Sequence, residues 1–298
     1  MKLLLVGANG QVGHALTRSL APLGEVVATT RGGTLEVSAR CEALDLGDAD
    51  AIAPLVERVQ PDAVVNAAAY TAVDRAEDEA ELAMRINARA PERLAQTCAS
   101  LDIPLLHYST DYVFDGTSTR PYREGDATAP LGVYGQSKLA GEQAIAASGA
   151  RHLILRTAWV HGLYGQNFLR TMLRLGAERD ALRVVADQHG CPTPAWLIAD
   201  VTATILRRGI VESGVRHLVA TGETTWHGFA EAIFDEAVAS GRIARRPVVH
   251  PIATADYPTR AARPAYSVLA TDRLRSEYGL ELPHWRAALR ETFAAETD

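Results

Sequence analysis

The first thirteen residues limit the fold more than any other stretch. Residues 3–6 are a short, unbroken apolar run, the pattern of a strand buried on both faces. The run ends at Gly7. Gly10 and Gly13 follow at equal spacing, and Val12, Leu16, Leu20 and Leu23 then recur on one helical stripe. A strand that turns through glycines straight into a helix opens an α/β unit. Gly7 permits the tight turn, Gly10 lets backbone approach a pyrophosphate, and Gly13 allows close helix packing. The helix N-terminus directs free N–H groups at the anion. The spacing is G-x-x-G-x-x-G rather than G-x-G-x-x-G, so glycines that merely make a turn are the competing reading.

The alternation continues beyond this unit. Strands are expected at residues 26–28, 63–67, 104–108 and 152–155, and helices at 11–23, 50–59 and 134–147. A helical region spans 79–100, interrupted near Pro91. Strand–helix alternation with short connections specifies a parallel sheet covered by helices, and right-handed crossovers make it doubly wound. After about Thr157 the pattern loosens. Helical periods at 167–175, 196–206, 226–238 and 285–294 are separated by proline-bearing loops, and 216–219 reads as one more strand. Residues 247–264 carry four prolines and are expected to be extended. The division expected is 1–157 for a dinucleotide-binding domain and 158–298 mainly for a smaller substrate lobe. A segment around 215–240 returns to the first domain.

At 298 residues the chain can bury a large core. A formal net charge of −6 with no block of Lys and Arg argues against a nucleic-acid surface, which needs a concentrated basic face. No apolar stretch approaches the roughly 20 residues of a membrane helix. Cys41, Cys98 and Cys191 are odd in number and far apart. They suggest neither a zinc site nor a disulfide framework and suit a reducing cytoplasm.

The end of the second strand selects the cofactor. A carboxylate there would bind a ribose 2′-hydroxyl and repel a 2′-phosphate. This chain has Thr29-Thr30-Arg31, and Arg31 can pair with the phosphate of NADPH. NADPH is therefore the expected reductant, with NADH as a second choice; a solvated surface arginine is the alternative. Asn9, Gln11 and Val12 belong to the glycine turn. Asp45 and Leu46 follow the third strand on the adenine side. Ala67, Ala68 and Ala69 end the next strand, where small side chains let a dinucleotide lie on the sheet edge or simply let helices pack.

The chemistry is concentrated further along. Ser109-Thr110-Asp111 ends a strand, and Tyr134 and Lys138 then lie four apart on one helix face. A free tyrosine has a pKa of about 10, and a nearby ammonium makes the phenol a better acid. Lys138 can also hold the nicotinamide ribose hydroxyls. Thr110 can donate a hydrogen bond to a substrate carbonyl while Tyr134 supplies the proton. His107, His152 and His217 lie in expected strands and read as structural, His189 lies in a loop, and no histidine set forms a metal site.

The set Gly7, Gly10, Gly13, Thr110, Tyr134 and Lys138 resembles the extended short-chain dehydrogenase/reductase superfamily, whose dinucleotide domain is a Rossmann fold. Within it, longer stretches are similar to the dTDP-4-dehydrorhamnose reductase family. They include Val65-Asn66-Ala67-Ala68-Ala69-Tyr70-Thr71-Ala72-Val73-Asp74, His107-Tyr108-Ser109-Thr110-Asp111-Tyr112-Val113-Phe114, Asp187-Gln188-x-Gly190-x-Pro192-Thr193 and Arg263-Pro264. These matches run over nearly the whole chain. The resemblance implies reduction of the C4 ketone of dTDP-4-dehydro-L-rhamnose to dTDP-L-rhamnose for cell-surface polysaccharide. It implies Tyr134 as proton donor, Lys138 as its partner and Thr110 as the carbonyl-orienting hydroxyl. Thr110 and Asp111 would contact the sugar. Trp159 would line the substrate pocket or be an ordinary core aromatic, and Arg260 or Arg263 would clamp the diphosphate or be surface charge.

The departures concern magnesium. Some family members are dimers bridged by magnesium through glutamates. This chain has Ala15 at one such position and Pro194-Ala195-Trp196 at another, leaving Glu291 as the one match. Magnesium needs several oxygen ligands, so no structural magnesium is expected, and the chain should be a monomer or a metal-free homodimer. The rival readings are a nucleotide-sugar epimerase or dehydratase on the same fold, another 4-keto-sugar reductase, and a non-catalytic NADP-binding regulatory subunit. Retention of Thr110, Tyr134 and Lys138 argues against the last, and Arg31 with the Asp187–Thr193 and Arg263-Pro264 stretches argues against the first.

Overall fold

A computed structural model describes residues 1–36 and 40–294. Six strands come first: β1 (Lys2–Val6), β2 (Glu25–Thr30), β3 (Arg40–Ala43), β4 (Ala63–Asn66), β5 (Leu105–Thr110) and β6 (His152–Thr157). Among the later strands, β7 (Val160–His161), β9 (His189–Gly190), β10 (Thr193–Pro194) and β12 (Thr224–Thr225) are two-residue pieces, whereas β8 (Ala181–Val185), β11 (Gly214–His217) and β13 (Val248–Ile252) are longer. The central sheet has seven strands in the order β11-β6-β5-β4-β1-β2-β3, and every neighbouring pair is parallel.

Successive residues of a strand point to opposite faces, and β1 divides accordingly. Leu3 and Leu5 enter one core and Leu4 and Val6 the other. On the first face α1 (Gln11–Leu20) packs against α8 (Ala195–Arg208), with Leu16 and Leu20 meeting a buried set that includes Ile198 and Ile205. On the second face lie α2 (Ile52–Val59), α5 (Ala90–Ser100) and α6 (Val133–Ala147), through Leu55, Leu94 and Ile145. Helices on both faces make the sheet doubly wound. The strand order reverses between β1 and β4, which opens a crevice at the C-terminal strand ends.

The short α3 (Val73–Ala76) and α4 (Ala80–Met84) precede a π-turn at Arg85–Arg89 that leads directly into α5. The helical region therefore runs through Pro91 without breaking there. Proline is tolerated at the first turn after the π-turn, where its missing N–H costs little. The remaining helices, α7 (Phe168–Glu178), α9 (Trp226–Ala239), α10 (Asp272–Tyr278) and α11 (Trp285–Ala294), belong to the later part of the chain. There β8 and β13 pair in parallel outside the central sheet, while β11 joins that sheet beside β6. Residues 247–264 hold β13 and one 3₁₀ turn, Thr254–Asp256, within an otherwise irregular path. No helix among the described residues is long and apolar enough to cross a membrane.

Candidate active site

The crevice at the strand-order reversal is a cleft of ≈ 640 Å³. Two glycines there answer to hard steric limits. Gly7 has φ +86, and a Cβ on it would lie 2.7 Å from Ala68; a Cβ on Gly13 would lie 2.0 Å from the Gly7 carbonyl oxygen. Gly10 caps α1 with no side chain bonded to the helix N–H groups, so the N-terminal donors face the cleft. Gly7, Asn9, Gly10, Gln11, Val12, Arg31, Asp45, Leu46, Ala67, Ala68, Ala69, Tyr134 and Lys138 all line this one cleft. The Arg31 guanidinium lies 3.8 Å from the Asp45 carboxylate at its exposed rim.

The cleft has a wall that local sequence pattern did not reveal. Gly165 and Gln166 line it, carried by a segment that folds back over the glycine turn. Tyr164 stacks on His14 with ring centroids 3.8 Å apart, and Asn167 Nδ2 donates to Gln11 Oε1 at 2.8 Å. The buried hydroxyls of Ser109 and Thr157, which line the cleft from β5 and β6, have no partner among the described residues. Unpaired buried hydroxyls beside an open anion cradle fit a polar ligand such as a dinucleotide.

At the other end of the cleft, Thr110 ends β5 and Tyr134 sits in the first turn of α6. Close helix packing fixes the latter. A Cβ on Gly135 would lie 2.2 Å from the Tyr112 carbonyl oxygen, and one on Gly141 2.1 Å from that of Asn87. Asn87, turned inward by the π-turn, accepts from Tyr70 N–H at 2.8 Å and donates to the Tyr70 carbonyl and to Ser137 Oγ at 3.0 Å. It thereby ties the loop after β4 to α6, a role that carries no spacing signal in the sequence.

Burial pushes the Tyr134 phenol up to about 12, against the Thr110 hydrogen bond, which lowers it. Thr110 in turn donates to Asp111 Oδ1 at 3.0 Å. Asp111 is 1% exposed, and burial raises its carboxyl to about 6 in spite of the neighbouring Ser267 and Thr110 hydroxyls, which lower it. Lys138 lies beneath. Its Nζ donates to the Tyr108 carbonyl at 2.7 Å and lies 3.2 Å from His107 Nε2. Burial draws its ammonium down to about 8. The lysine is thus bonded to β5 rather than to the phenol, and His107, expected to be structural, touches it directly.

The aromatic expected on the substrate side is Trp159, and its backbone adopts φ 47. Its ring stacks on Trp226 at 3.5 Å with 4° between planes. Gly190 makes room, since a Cβ there would come within 2.4 Å of the Trp159 ring. Gln188 accepts from Trp226 Nε1 at 3.2 Å and donates to Thr254 Oγ1 at 3.0 Å, while Asp187 accepts from the Thr254 hydroxyl at 2.6 Å. The Asp187-Gln188-x-Gly190 stretch therefore builds the tryptophan pair. Arg263 makes a two-pronged contact with Asp74, at 3.2 and 2.8 Å, and Arg260 pairs with Asp78. Both candidate phosphate clamps thus dock the segment after β13 onto the helices after β4.

Among the described residues no group of three or more His, Cys, Asp or Glu is placed to hold a metal ion. At the positions that bridge magnesium in the resembled dimers, Ala15 packs on apolar core. Trp196 donates its indole N–H to Thr292 Oγ1 at 3.0 Å. These residues offer the hard cation no oxygen cage.

A seven-stranded doubly wound sheet, a glycine-turn cleft at its reversal and a Tyr–Lys pair lining that cleft beside the end of β5 define an extended short-chain dehydrogenase/reductase. The chain belongs to the dTDP-4-dehydrorhamnose reductase family: the family model described as "RmlD substrate binding domain" matches residues 1–297. It is 48% identical over 298 residues to the dTDP-4-dehydrorhamnose reductase of Burkholderia thailandensis, covering 97% of each chain. It is 44% identical over 293 residues to that of Salmonella typhimurium, covering 97% of this chain and 96% of the relative. The crystal structure of the Bacillus anthracis dTDP-4-dehydrorhamnose reductase in complex with NADP superimposes with a TM-score of 0.89 at 34% identity, covering 99% of each chain.

Proposed function

We propose that this chain uses NADPH to reduce the C4 ketone of dTDP-4-dehydro-L-rhamnose to dTDP-L-rhamnose, a sugar nucleotide for cell-surface polysaccharide. The observation that carries the reading is the Tyr134 phenol, which lines the cleft together with Lys138 and the glycine turn, close to Thr110 at the end of β5. NADPH, when bound, supplies hydride to the carbonyl carbon. The residues Gly7 to Val12 and Ala67 to Ala69 would hold it, with Arg31 at the 2′-phosphate and Lys138 at the nicotinamide ribose.

Thr110 and Tyr134 converge on the position of the ketone oxygen. Tyr134 gives its proton to that oxygen as negative charge develops there. A phenol whose pKa burial has raised is a poor acid towards water but a suitable one towards an alkoxide. Thr110 fixes the direction of the phenol and orients the carbonyl. Asp111, with one carboxylate oxygen unpaired among the described residues, is placed to accept from a sugar hydroxyl. The Trp159–Trp226 stack gives a flat apolar wall against which sugar or base can pack. Arg263 would meet the diphosphate by loosening its contact with Asp74.

In this reading residues 1–157 bind the dinucleotide and 158–298 mainly the substrate, the segment around 215–240 returning to the first unit. The three free cysteines support a reducing cytoplasm, and the protein acts as a monomer or metal-free homodimer. The test is NADPH oxidation with dTDP-4-dehydro-L-rhamnose and with other nucleotide-linked 4-keto sugars. Preferred turnover of the dTDP-rhamnose precursor is expected. Protein purified with stoichiometric NAD+ and no net NADPH consumption would favour an epimerase instead.

A further inference from the structure

A buried polar chain runs behind the cleft, and the reaction as described makes no use of it. Asn66 ends β4 and His107 lies beside it on β5, each 1% exposed. Asn66 Nδ2 is 3.0 Å from His107 Nδ1, and His107 Nε2 is 3.2 Å from Lys138 Nζ. The Ala68 N–H donates to Asn66 Oδ1 at 3.2 Å. That bond orients the amide, since its oxygen is taken by Ala68 and its NH₂ faces the imidazole. His107 Nδ1 must then accept, and a neutral imidazole carries its one proton on Nε2. Burial, followed by the charge of Lys138, holds His107 well below the usual imidazole range, so the doubly protonated ring is disfavoured.

The Nε2–H bond consequently points at Lys138 Nζ. An ammonium has three donors and no acceptor, so it would meet that N–H donor to donor. A neutral amine has a lone pair for Nε2–H and still donates to the Tyr108 carbonyl. On its own helix are Tyr134 and Glu142. The Glu142 carboxylate favours the charged lysine, but less than burial disfavours it, and it is itself held in a buried two-point contact with Arg156 of β6. Asp111, just beyond β5, is bonded to Thr110.

We propose that His107, oriented by Asn66, is a positioning residue that favours neutral Lys138 in the open cleft, so that dinucleotide binding is coupled to uptake of one proton by Lys138. The proposal rests on the reading that Lys138 meets the nicotinamide ribose. Ribose hydroxyl oxygens accept from an ammonium, so the bound state restores the charge. The step is Lys–NH₂ plus a solvent proton giving Lys–NH₃⁺, with no other bond changed. Burial lowers the free lysine to about 8, so uptake should grow from pH 7 to pH 9. Over the same range the NADPH Kd should rise by up to about tenfold per pH unit above that value.

The experiment is calorimetric titration of the intact protein with NADPH at pH 8.5, in two buffers of different ionisation enthalpy. Wild type should take up most of one proton. In His107→Gln the amide can turn its oxygen to the ammonium. In the isosteric Asn66→Asp a carboxylate draws the imidazole proton to Nδ1 and makes Nε2 an acceptor. Burial acts on Lys138 in the variants as well, so each should take up measurably fewer protons than wild type at pH 8.5, with a Kd that rises less steeply from pH 7 to pH 9. A merely structural contribution would weaken binding equally at every pH. Wild type that binds NADPH at pH 8.5 without uptake, or folded variants that take up as many protons as wild type, would overturn the proposal. Turnover is read in the same samples. Uptake without turnover of the keto sugar supports this inference and counts against the reductase reading, whereas turnover without uptake does the reverse.

Discussion

The two sides of the cleft are built by different means. The dinucleotide side is made of what side chains leave out: Gly7 and Gly13 in van der Waals contact with neighbouring backbone, and Ala67 to Ala69 along the strand edge. In the proposed reading, the substrate side is made of what side chains put in: a stacked tryptophan pair, a two-pronged Asp74–Arg263 contact and a buried Asp111. The first needs only a strand, a turn and a helix that are adjacent in sequence. The second assembles residues from positions 74, 111, 159, 190, 226 and 263. Phosphate recognition by backbone can be encoded locally, whereas the sugar recognition proposed above would depend on the late segments having docked.

Substitutions at the two glycine types should separate the sides. Gly13→Ala should have the largest effect, because its methyl would lie 2.0 Å from the Gly7 carbonyl oxygen. A clash with backbone should cost at least the ~1–3 kcal/mol of an overpacked core, lowering Tm and NADPH affinity together. Gly190→Ala should act on the other side. Its methyl would come within 2.4 Å of the Trp159 ring, so substrate KM should rise by roughly tenfold or more while NADPH Kd stays near wild type. If Gly190→Ala weakens NADPH as much as substrate, the two sides are not independent.

Asp111 sharpens the contrast through pH. Burial raises its folded carboxyl to about 6 from an ordinary 3.8. Folding therefore favours the protonated form, and this group's unfavourable contribution is absent below the unfolded value and develops as pH rises towards 6. The difference corresponds to roughly 3 kcal/mol at neutral pH. Asp111→Asn should raise Tm at pH 7.5, with the gain shrinking towards pH 4. The same substitution should remove an acid limb near pH 6 from kcat/KM. A carboxylate kept at this cost for packing alone would leave that limb in place. The smallest effect is expected at the exposed rim, where Arg31 lies loosely opposite Asp45. Arg31→Ala should reduce the preference for NADPH over NADH by about fivefold, measured as the ratio of kcat/KM values.

What could be read from the chain follows the same division. The glycine turn, Thr110 and the Tyr134–Lys138 face were legible because each is a local pattern with a fixed period. The strap carrying Gly165 and Gln166 was not, since it is tied to the glycine turn by contacts between residues some 150 positions apart, among them a ring stack on His14 and a hydrogen bond to Gln11. The β8–β13 pair joins residues nearly seventy positions apart, and no periodicity reports such a partner. Pro91 was read as a break because a proline inside a helical pattern usually is one. The π-turn before it supplies a new helix start, and with it the inward Asn87. His107 looked like strand packing, and only its neighbour on β4 and the helix above it reveal the contact with Lys138.

The central claim is that the Tyr134 phenol delivers the proton to a sugar ketone held beside the dinucleotide. Tyr134→Phe removes one oxygen from a helix whose packing is set by Gly135 and Gly141. Turnover with dTDP-4-dehydro-L-rhamnose should fall by roughly 10²–10⁴-fold, while NADPH Kd measured by fluorescence changes by no more than about threefold. A Tyr134→Phe enzyme that turns over at the wild-type rate would contradict the account.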